Sequence, residues 1–427
     1  MKRIHDQLVE KKLSDAVSSH NFNEERSFQL MQVEDIYNET NMEGLSSIVN
    51  RLFNSFRELA SQPDNDTIRS VVRENASIVV ADIQRVRSSL NDLKGSIERK
   101  ISGSVDDINS ILHNIGKLNV EITNLENSHG ETGDLRDERD KAIKTLSEYF
   151  DVHTYEDGNG NYNVNAVGVG TLVTAGAVEE LATADLSPPE GTPIQEYEGR
   201  LGITFKRNPS VPVNTFLKKG KIGALLQTRD GEIKKMQDSI DTFAYELANT
   251  VNAIHRRGYA NRKVETDSQG RAIAGSANGP VTGINFFEIP VSRHRAAEKL
   301  NLSLEIKEDV RNIATGLSPN SPGDNRVALA IAKVQHEKIL NDGTTTMEEF
   351  YLKSVGDIGL AAGKATIDME HSEGIMAQAT SLRERISGVS IDEETANMVR
   401  YQHAYDASAK VMKAANDMFN SVLKILD

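Results

Sequence analysis

The feature that most constrains this fold is a long heptad seam of apolar residues in the first half of the chain. No proline occurs between Pro63, in the turn-rich "SQPDNDTIRS", and Pro188, so one helix can run over residues 67–127. Apolar residues recur there in alternating steps of four and three, with two successive steps of four at residues 97–105. The seam comprises Val79, Ile83, Val86, Leu90, Leu93, Ile97, Ile101, Val105, Ile108, Leu112, Ile115, Ile122 and Leu125. At 1.5 Å per residue the helix would be roughly 90 Å long, and the double step of four would locally relax its supercoil. So long a seam predicts a partner of similar length.

Composition narrows the class of protein. The chain has 427 residues, which exceeds one compact core and predicts two or three domains. Its net charge is −14 and its acidic residues are dispersed, which argues against binding to nucleic acid or to a membrane surface. Aromatic residues make up 5% of the chain and tryptophan is absent, a composition that suits a thin helical rod better than an enzyme core.

Targeting signals and cysteine are also missing from the sequence. The opening "MKRIHDQLVEKKLSDAV" has no apolar core of signal-peptide length, and no stretch approaches the roughly 18 apolar residues of a membrane span. The lack of cysteine excludes disulfides, thiolate nucleophiles and zinc–cysteine sites. We therefore expect no membrane insertion and, if the protein is secreted, export without a cleaved signal.

The order of patterns along the chain predicts a mainly α-helical protein with an inserted mixed or β domain. Helical periodicity at both ends would form an elongated antiparallel bundle, a coiled-coil rod built from both chain ends. Within the insert, periodicity from about residue 222 to about residue 257 predicts one long helix. The predicted segments are 1–150 for the N-terminal half of the rod, 151–326 for the insert, 327–388 for the C-terminal half of the rod and 389–427 for a terminal helix.

Short strands are predicted inside the insert. In "VHTYEDGNGNYNVNAVGVGTLVTAG" valine, tyrosine and threonine alternate with polar residues around a turn at 157–160, which is typical of a hairpin. "LGITFKR", "VTGINFFEIPV" and "LNLSLEI" predict further strands. From residue 325 onward we expect helix, broken near residues 341–345 and at 387–388.

The last 40 residues are the most strongly patterned part of the chain. Ser390 and Glu393 have the spacing of a capping box, and three neighbouring rows of residues at seven-residue spacing form an apolar stripe wider than a two-stranded seam. The pattern alone fits an ordinary bundle helix, while the width of the stripe also fits partners in other subunits. The candidate interface residues are Ile391, Met398, Tyr401, Tyr405, Met412, Ala415, Phe419, Val422 and Leu426.

No motif in the sequence predicts catalysis or cofactor binding. Asp157, Asn159 and Asn161 begin like a calcium-binding loop, but Tyr162 and Gly168 stand where such a loop has glycine and glutamate. A plain turn is therefore expected there. The histidines are scattered, and "IHRRGY" is typical of the basic end of a helix. We predict no catalytic residues, no cofactor and no metal site, and a protein that is not an enzyme.

Several motifs resemble those of bacterial flagellar axial proteins. "SGVSIDEETANMVRYQHAYDASAKVMKAANDMFNSVL" is similar to the C-terminal signature of that group, with its G-V-x-[IL]-D-E-E start, R-Y-Q-x-A-Y centre and A-N-x-[ML]-F end. Within the group, "GDLRDERDKAIKTLSEYFDV", "GKIGALLQTRDGEI", "NAIHRRGY" and "PGDNRVALAIAKVQ" resemble the flagellar hook-associated protein 1 family (FlgK), which forms the hook–filament junction. The resemblance extends over nearly the whole chain.

The resemblance implies a flagellin-like rod with a structural function, in which residues 389–427 are the polymerisation helix. Its implied partners are other copies of itself in a helical ring, the hook protein, the adjacent hook-associated junction protein and a flagellar export chaperone. The implied location is extracellular, in the flagellum, after type III export. The family's asparagine-rich N-terminal helix has no counterpart in the sequence, so the resemblance implies a start inside the rod domain. Two alternatives stay open: a flagellin or another axial subunit, and an enzyme carried in the outward β domain.

Overall fold

Long helices dominate the computed structural model, which describes residues 6–37, 44–128, 131–157, 161–186, 200–263, 269, 281–387 and 391–426. The helices are α1 (Gln7–Tyr37), α2 (Leu45–Ser61), α3 (Asp66–Asn127), α4 (Gly133–Tyr149), α5 (Gly220–Gln227), α6 (Lys234–His255), α7 (Ala296–Lys299), α8 (Leu304–Glu308), α9 (Arg326–Lys333), α10 (Met347–Ser387) and α11 (Ile391–Leu426). The strands are β1 (Val152–Glu156), β2 (Tyr162–Ala166), β3 (Gly170–Thr174), β4 (Ala177–Val178), β5 (Leu181–Asp185), β6 (Leu201–Phe205) and β7 (Asn208–Pro212).

The predicted long helix is α3, and its apolar seam faces the interior. Asn65 caps the first turn, because its Oδ1 accepts a hydrogen bond from the backbone N–H of Thr67 at 2.9 Å. From Val79 to Ile122 every seam residue is buried, and only Leu125 near the helix end is exposed. The heptad pattern therefore identified the buried face of α3 almost to its last turn.

The prediction that α3 has one long partner is wrong. Several shorter elements cover the seam in turn: α2 near its start, α6 and α7 along its middle, and α4 with β3, β4 and β5 towards its end. Hydrophobic burial is not directional, so a row of short elements can cover a long apolar seam as well as a single helix.

The two ends of the chain do pair, through α1 and α10. Glu10 near the start of α1 forms an ion pair with Arg383 near the end of α10, with 2.8 Å between Oε1 and Nε. Further along α1, the hydroxyls of Ser27 and Thr366 lie 3.2 Å apart. Because later residues of α1 meet earlier residues of α10, the two helices are antiparallel. The rod is built from both chain ends, as predicted.

Two small antiparallel sheets lie against the second half of α3. Their strand orders are β1-β2-β3-β4 and β5-β6-β7. The predicted hairpin is formed by β1 and β2, and residues 158–160 of its turn lie outside the described residues. "LGITFKR" contains β6, as predicted. Asn109 of α3 anchors the second sheet, because its side-chain amide bonds both the carbonyl (2.8 Å) and the N–H (2.9 Å) of Leu181.

The strands expected in "VTGINFFEIPV" and "LNLSLEI" are not formed. Both segments are irregular apart from two isolated bridges, one between Phe287 and Leu302 and one between Thr282 and Tyr259, and the second segment continues into the short helix α8. The side chain of Asn252 replaces a neighbouring strand here. Its Oδ1 accepts from the N–H groups of Phe286 (2.8 Å) and Phe287 (2.9 Å), and its Nδ2 donates to the carbonyl of Phe287 (2.9 Å). The buried backbone groups are therefore hydrogen-bonded although no neighbouring strand pairs with them.

The helix expected over about 222–257 is two helices joined by a π-helical turn. α5 begins at Gly220, the turn occupies Thr228–Ile233, and α6 ends at His255. Gly220 has a φ of +64°, and a Cβ at this position would lie 2.3 Å from the carbonyl carbon of Tyr149. Only glycine fits both the backbone conformation and this close approach.

The C-terminal helices end and begin near the predicted positions. Asn341, Asp342 and Gly343 have positive φ angles in the break before α10, and α10 ends at Ser387. The predicted cap Ser390 lies outside the described residues, which resume at Ile391.

Candidate functional site

The terminal helix α11 is the part of the molecule best suited to binding another chain. Over residues 395–421, where burial is described, every residue is exposed except the half-buried Asn397. Among the described residues, the hydrophobic core ends at Ala365 in α10. This part of α11 therefore contributes nothing to the core of its own chain.

The described candidate interface residues form a continuous exposed line on α11, here called the terminal stripe. Tyr405 and Met412 retain 76% and 75% of their accessible surface. Residues seven apart on a helix lie nearly above one another, so at 1.5 Å per residue the stripe extends for roughly 30 Å. The terminal stripe consists of Met398, Tyr401, Tyr405, Met412, Ala415 and Phe419, all of which are exposed. The side chains of the other three candidates, Ile391, Val422 and Leu426, lie outside the described part of the structure.

The surface around the terminal stripe is apolar on one side and charged on the other. Val411 and Met418, each one residue before a member of the stripe, are also exposed and widen it. Lys410 and Lys413 lie on the remaining surface, and Lys413 has Asp417 one turn further along the helix. Burial of one Met, Phe or Leu side chain stabilises an interface by about 1.5–3 kcal/mol. A contiguous apolar surface of this extent is typical of an interaction site.

The segment that begins like a calcium-binding loop contains one described local pair, Asp157 and Asn161, and residues 158–160 between them lie outside the described residues. The carboxylate of Asp157 accepts from both the backbone N–H and the side-chain Nδ2 of Asn161, each at 2.9 Å. The described residues contain no group of three His, Asp or Glu side chains that could hold a metal ion. None of the described helices is both long and apolar enough to cross a membrane.

The basic motif "IHRRGY" contributes to packing through His255. This imidazole is fully buried at the end of α6, with Nδ1 2.8 Å from the carbonyl oxygen of Ile284. Its Nε2 accepts from the backbone N–H of Ala314 at 2.9 Å. Burial lowers the pKa of His255 to about 4, so the ring is neutral and joins two loops to α6. The neighbouring Arg256 and Arg257 are exposed.

Sequence reasoning missed the contacts of two buried arginines, one in each of two internal motifs. In "GKIGALLQTRDGEI" the guanidinium of Arg229 has no exposed surface, and its terminal nitrogen lies 3.0 Å from a carboxylate oxygen of Glu98. In "GDLRDERDKAIKTLSEYFDV" Arg139 donates to the side-chain oxygen of Asn119 at 3.1 Å and lies 3.6 Å above the ring of Tyr162. Both arginines stand beside other charged residues in the sequence, so no local signal pointed to their burial.

Comparison with known protein families finds one matching family model for the middle of the chain and another for its end. The family model described as "Flagellar hook-associated protein FlgK helical domain" matches residues 30–270, more than half of the chain. The family model described as "Flagellar basal body rod FlgEFG protein C-terminal" matches residues 384–425, which include most of α11.

Individual relatives match along the whole chain. Flagellar hook-associated protein 1 of Bacillus subtilis (strain 168) is 25% identical over 445 residues, which cover 99% of this chain and 84% of the relative. The protein of the same name from Escherichia coli (strain K12) is 21% identical over 491 residues, covering 100% of this chain and 88% of the relative. The structure of the flagellar hook junction protein FlgK from Burkholderia pseudomallei has a similar fold, with a TM-score of 0.72 and 16% sequence identity. It covers 89% of this chain and 100% of that chain.

Proposed function

Because the chain belongs to the FlgK family of flagellar hook-associated proteins, it is a structural subunit of the bacterial flagellum at the hook–filament junction, and we propose that it assembles there through the terminal stripe. Helices of neighbouring copies would pack on the stripe by coiled-coil contacts and close a helical ring. The three candidates whose side chains lie outside the described residues would extend this contact to both ends of α11.

One observation carries this proposal: the terminal stripe is repeated every seven residues and is exposed along its described length. An isolated helix gains nothing from a regular apolar seam, and most helical stability in proteins comes from packing of such a face. The stripe is too regular for scattered surface residues and too exposed for a core. A second helix is the partner that fits its seven-residue period.

The same surface suggests which partners the chain contacts before and after assembly. Before assembly an export chaperone would cover the apolar stripe, since an uncovered one promotes aggregation. After type III export without a cleaved signal, the subunit would act outside the cell, with the hook protein on one side and the adjacent hook-associated junction protein on the other. We propose no enzymatic role, because the flagellar relatives are named as hook-associated proteins.

The proposal is tested by changing one residue of the stripe and one residue beside it. Met412→Asp places a charge in the stripe, and incorporation into flagella should fall to background because a buried carboxylate would have no partner. Val399→Asp is the matched control, since Val399 is an exposed apolar residue of α11 that points away from the stripe. Incorporation is measured by immuno-labelling of intact flagella, in which the unsubstituted chain should appear as one narrow band between hook and filament.

Two results would overturn the proposal. One is normal incorporation of the Met412→Asp chain at the junction. The other is an equal loss of incorporation for Met412→Asp and Val399→Asp. That result would mean that a new charge anywhere on α11 prevents assembly, whether or not it lies in the stripe. Circular dichroism of each purified chain confirms that the helices are retained.

A further inference from the structure

A cleft far from the terminal stripe is lined mainly by positive charges. It has a volume of about 600 Å³ and lies between α3, α6 and the loop that precedes α7. Seven of its lining side chains are Arg or Lys and three are Asp or Glu, although the whole chain has a net charge of −14. Concave sites of this volume are typical of small-molecule binding. We call this site the cationic cleft, and its charge indicates an anionic ligand.

The lining charges are distributed along two helices. Arg87 and Lys94 of α3 are seven residues apart, with Asn91 between them, and project from one face of that helix. Lys234 and Asp241 of α6 have the same spacing. Seven residues of a helix rise by roughly 10 Å. The cations are therefore spread over a length that exceeds a single phosphate group and suits two phosphates joined together.

Two of the three lining carboxylates are occupied by donors of the protein itself. The carboxylate of Asp241 lies 3.3 Å from Nε of Arg87. It also accepts from the backbone N–H groups of Arg295 (3.1 Å) and Ala297 (3.0 Å). Glu298 accepts two hydrogen bonds from the Arg295 guanidinium, at 2.7 and 2.8 Å. These acids therefore fix the walls of the cleft.

Two arginines of the cationic cleft are almost completely buried. Arg87 donates from Nε to Asp241 and from Nη1 to the side-chain oxygen of Asn91, while none of the described residues accepts a hydrogen bond from its Nη2. A buried guanidinium nitrogen gains from an added acceptor. Arg229 already bonds Glu98 and Asp230, so it contributes its charge to the cleft.

The pKa of Lys94 responds to the positive potential in the cleft. Burial lowers the pKa of this ammonium group, and the charge of Glu98 opposes that effect. The charges of Arg200, Arg229 and Arg87 lower the pKa further. A bound anion would offset this repulsion among cations.

The rim of the cleft carries two more exposed cations. The Lys234 side chain is 39% exposed and lies 3.4 Å from a carboxylate oxygen of Asp238. The Arg293 side chain is 65% exposed and lies 2.8 Å from a carboxylate oxygen of Glu246. Ion pairs at such exposed positions are weak. Both cations can therefore turn to a ligand at little cost to the fold.

We propose that the cationic cleft binds a small soluble anion that contains at least two linked phosphate groups. Nη2 of Arg87 would donate to one phosphate, and Lys234 and Arg293 would contact the other from the rim. A guanidinium group and a phosphate oxygen form a strong, charge-assisted hydrogen bond. A small molecule fits better than a protein surface, because Arg87 lies inside a concave site. The ligand would join α3, α6 and the loop before α7.

The direct test is calorimetric titration of the purified full chain with pyrophosphate. Inorganic phosphate and chloride are the comparison anions, at constant ionic strength because salt screens charge. Pyrophosphate should bind at one site per chain, at least tenfold more tightly than inorganic phosphate, and should raise the thermal unfolding midpoint. Absence of binding would overturn the proposal, and so would equal affinity for the two phosphates.

A pair of double variants tests the location of the site. Lys234→Gln with Arg293→Gln removes both rim cations and should weaken pyrophosphate binding at least tenfold. The matched control is Lys235→Gln with Arg256→Gln, which removes the same charge from residues that do not line the cleft. Lys235 faces Asp357 of α10 instead, at 3.0 Å, and Arg256 is exposed after the end of α6.

The two double variants also separate a built site from general attraction of anions. Equal losses of affinity in both would show that net charge alone attracts pyrophosphate, and unchanged affinity in the first would place binding elsewhere. Either result would overturn the proposal. Thermal unfolding without ligand checks that both variants fold. Because the readout is binding to the purified chain, its failure would leave assembly through α11 unaffected.

Discussion

The guanidinium of Arg229 lies 3.0 Å from the carboxylate of Glu98, and this buried pair connects the π-helical turn to α3. Strand β6 joins the same group, because the carbonyl of Leu201 accepts from Arg229 (2.7 Å) and its N–H donates to Glu98 (3.2 Å). Glu98 follows Ile97, where the α3 seam changes from alternating steps to two steps of four. Burial raises the pKa of the Glu98 carboxyl, and the charge of Arg229 opposes that effect. The pair thus fixes the small sheet on the long helix.

Removal of Arg229 should destabilise the fold strongly. In Arg229→Met the carboxylate of Glu98 loses its buried guanidinium, which should cost about 3 kcal/mol of unfolding free energy. In Glu98→Gln, Arg229 keeps its bonds to Asp230, at 2.7 and 3.0 Å, so the loss should be smaller. Urea denaturation of both variants measures the difference. Equal, small effects would mean that the pair contributes little.

Gly220 should tolerate no side chain. Gly220→Ala forces a Cβ to within 2.3 Å of the Tyr149 backbone at a φ of +64°, so we expect either no soluble folded chain or a loss of more than about 2 kcal/mol. Gly103→Ala is the matched control, since a Cβ there meets no atom within 4 Å in the middle of α3. That variant should be stabilised by about 0.5–1 kcal/mol. A stable Gly220→Ala chain in thermal unfolding would contradict the structure at this junction.

The parts of the fold that the sequence predicted correctly are those determined by local periodicity. The seam of α3, the hairpin of β1 and β2 and the break at 341–345 each follow from residues that are neighbours along one element. The exposed line on α11 is also visible as a repeat of seven. Such patterns specify which face of an element is apolar.

What covers an apolar face could not be predicted, because that depends on distant parts of the chain. The seam of α3 is equally satisfied by one long helix or by several short elements, and its pattern does not distinguish them. Around Phe286 and Phe287 the composition favours strands, yet the amide of Asn252 bonds their backbone groups instead. The ion pair of Arg229 with Glu98 joins residues 131 positions apart, so no local rule could find it.

Acid should destabilise the fold through His255. The ring stays neutral in the folded chain because its pKa is lowered to about 4, whereas in the unfolded chain it binds a proton near pH 6.5. The unfolded state therefore binds more protons between these values, and stability falls as the pH decreases from about 6.5 to about 4. The loss of unfolding free energy that this one group causes should approach about 3 kcal/mol.

A non-titrating variant isolates the contribution of His255 from that of the carboxyl groups. His255→Gln should be less stable than the unsubstituted chain at pH 7.5 and should lose less stability on going to pH 4.5. Urea midpoints at the two pH values measure both effects. Equal losses of stability in the two chains would show that the pKa of His255 does not differ between the folded and unfolded states.

Deletion of α11 should leave the rest of the fold intact while abolishing assembly. No described residue of α11 belongs to the hydrophobic core, and residues 395–421 are almost entirely exposed. A chain ending after Ser387 should therefore unfold within about 0.5 kcal/mol of the full chain, the range of surface changes that touch no packed group. The far-UV dichroism should decrease by the contribution of one helix, and the shortened chain should be missing from isolated flagella. A clear fall in the urea midpoint would mean instead that α11 packs on its own rod in solution, and the terminal stripe would then not be free to bind a neighbouring copy.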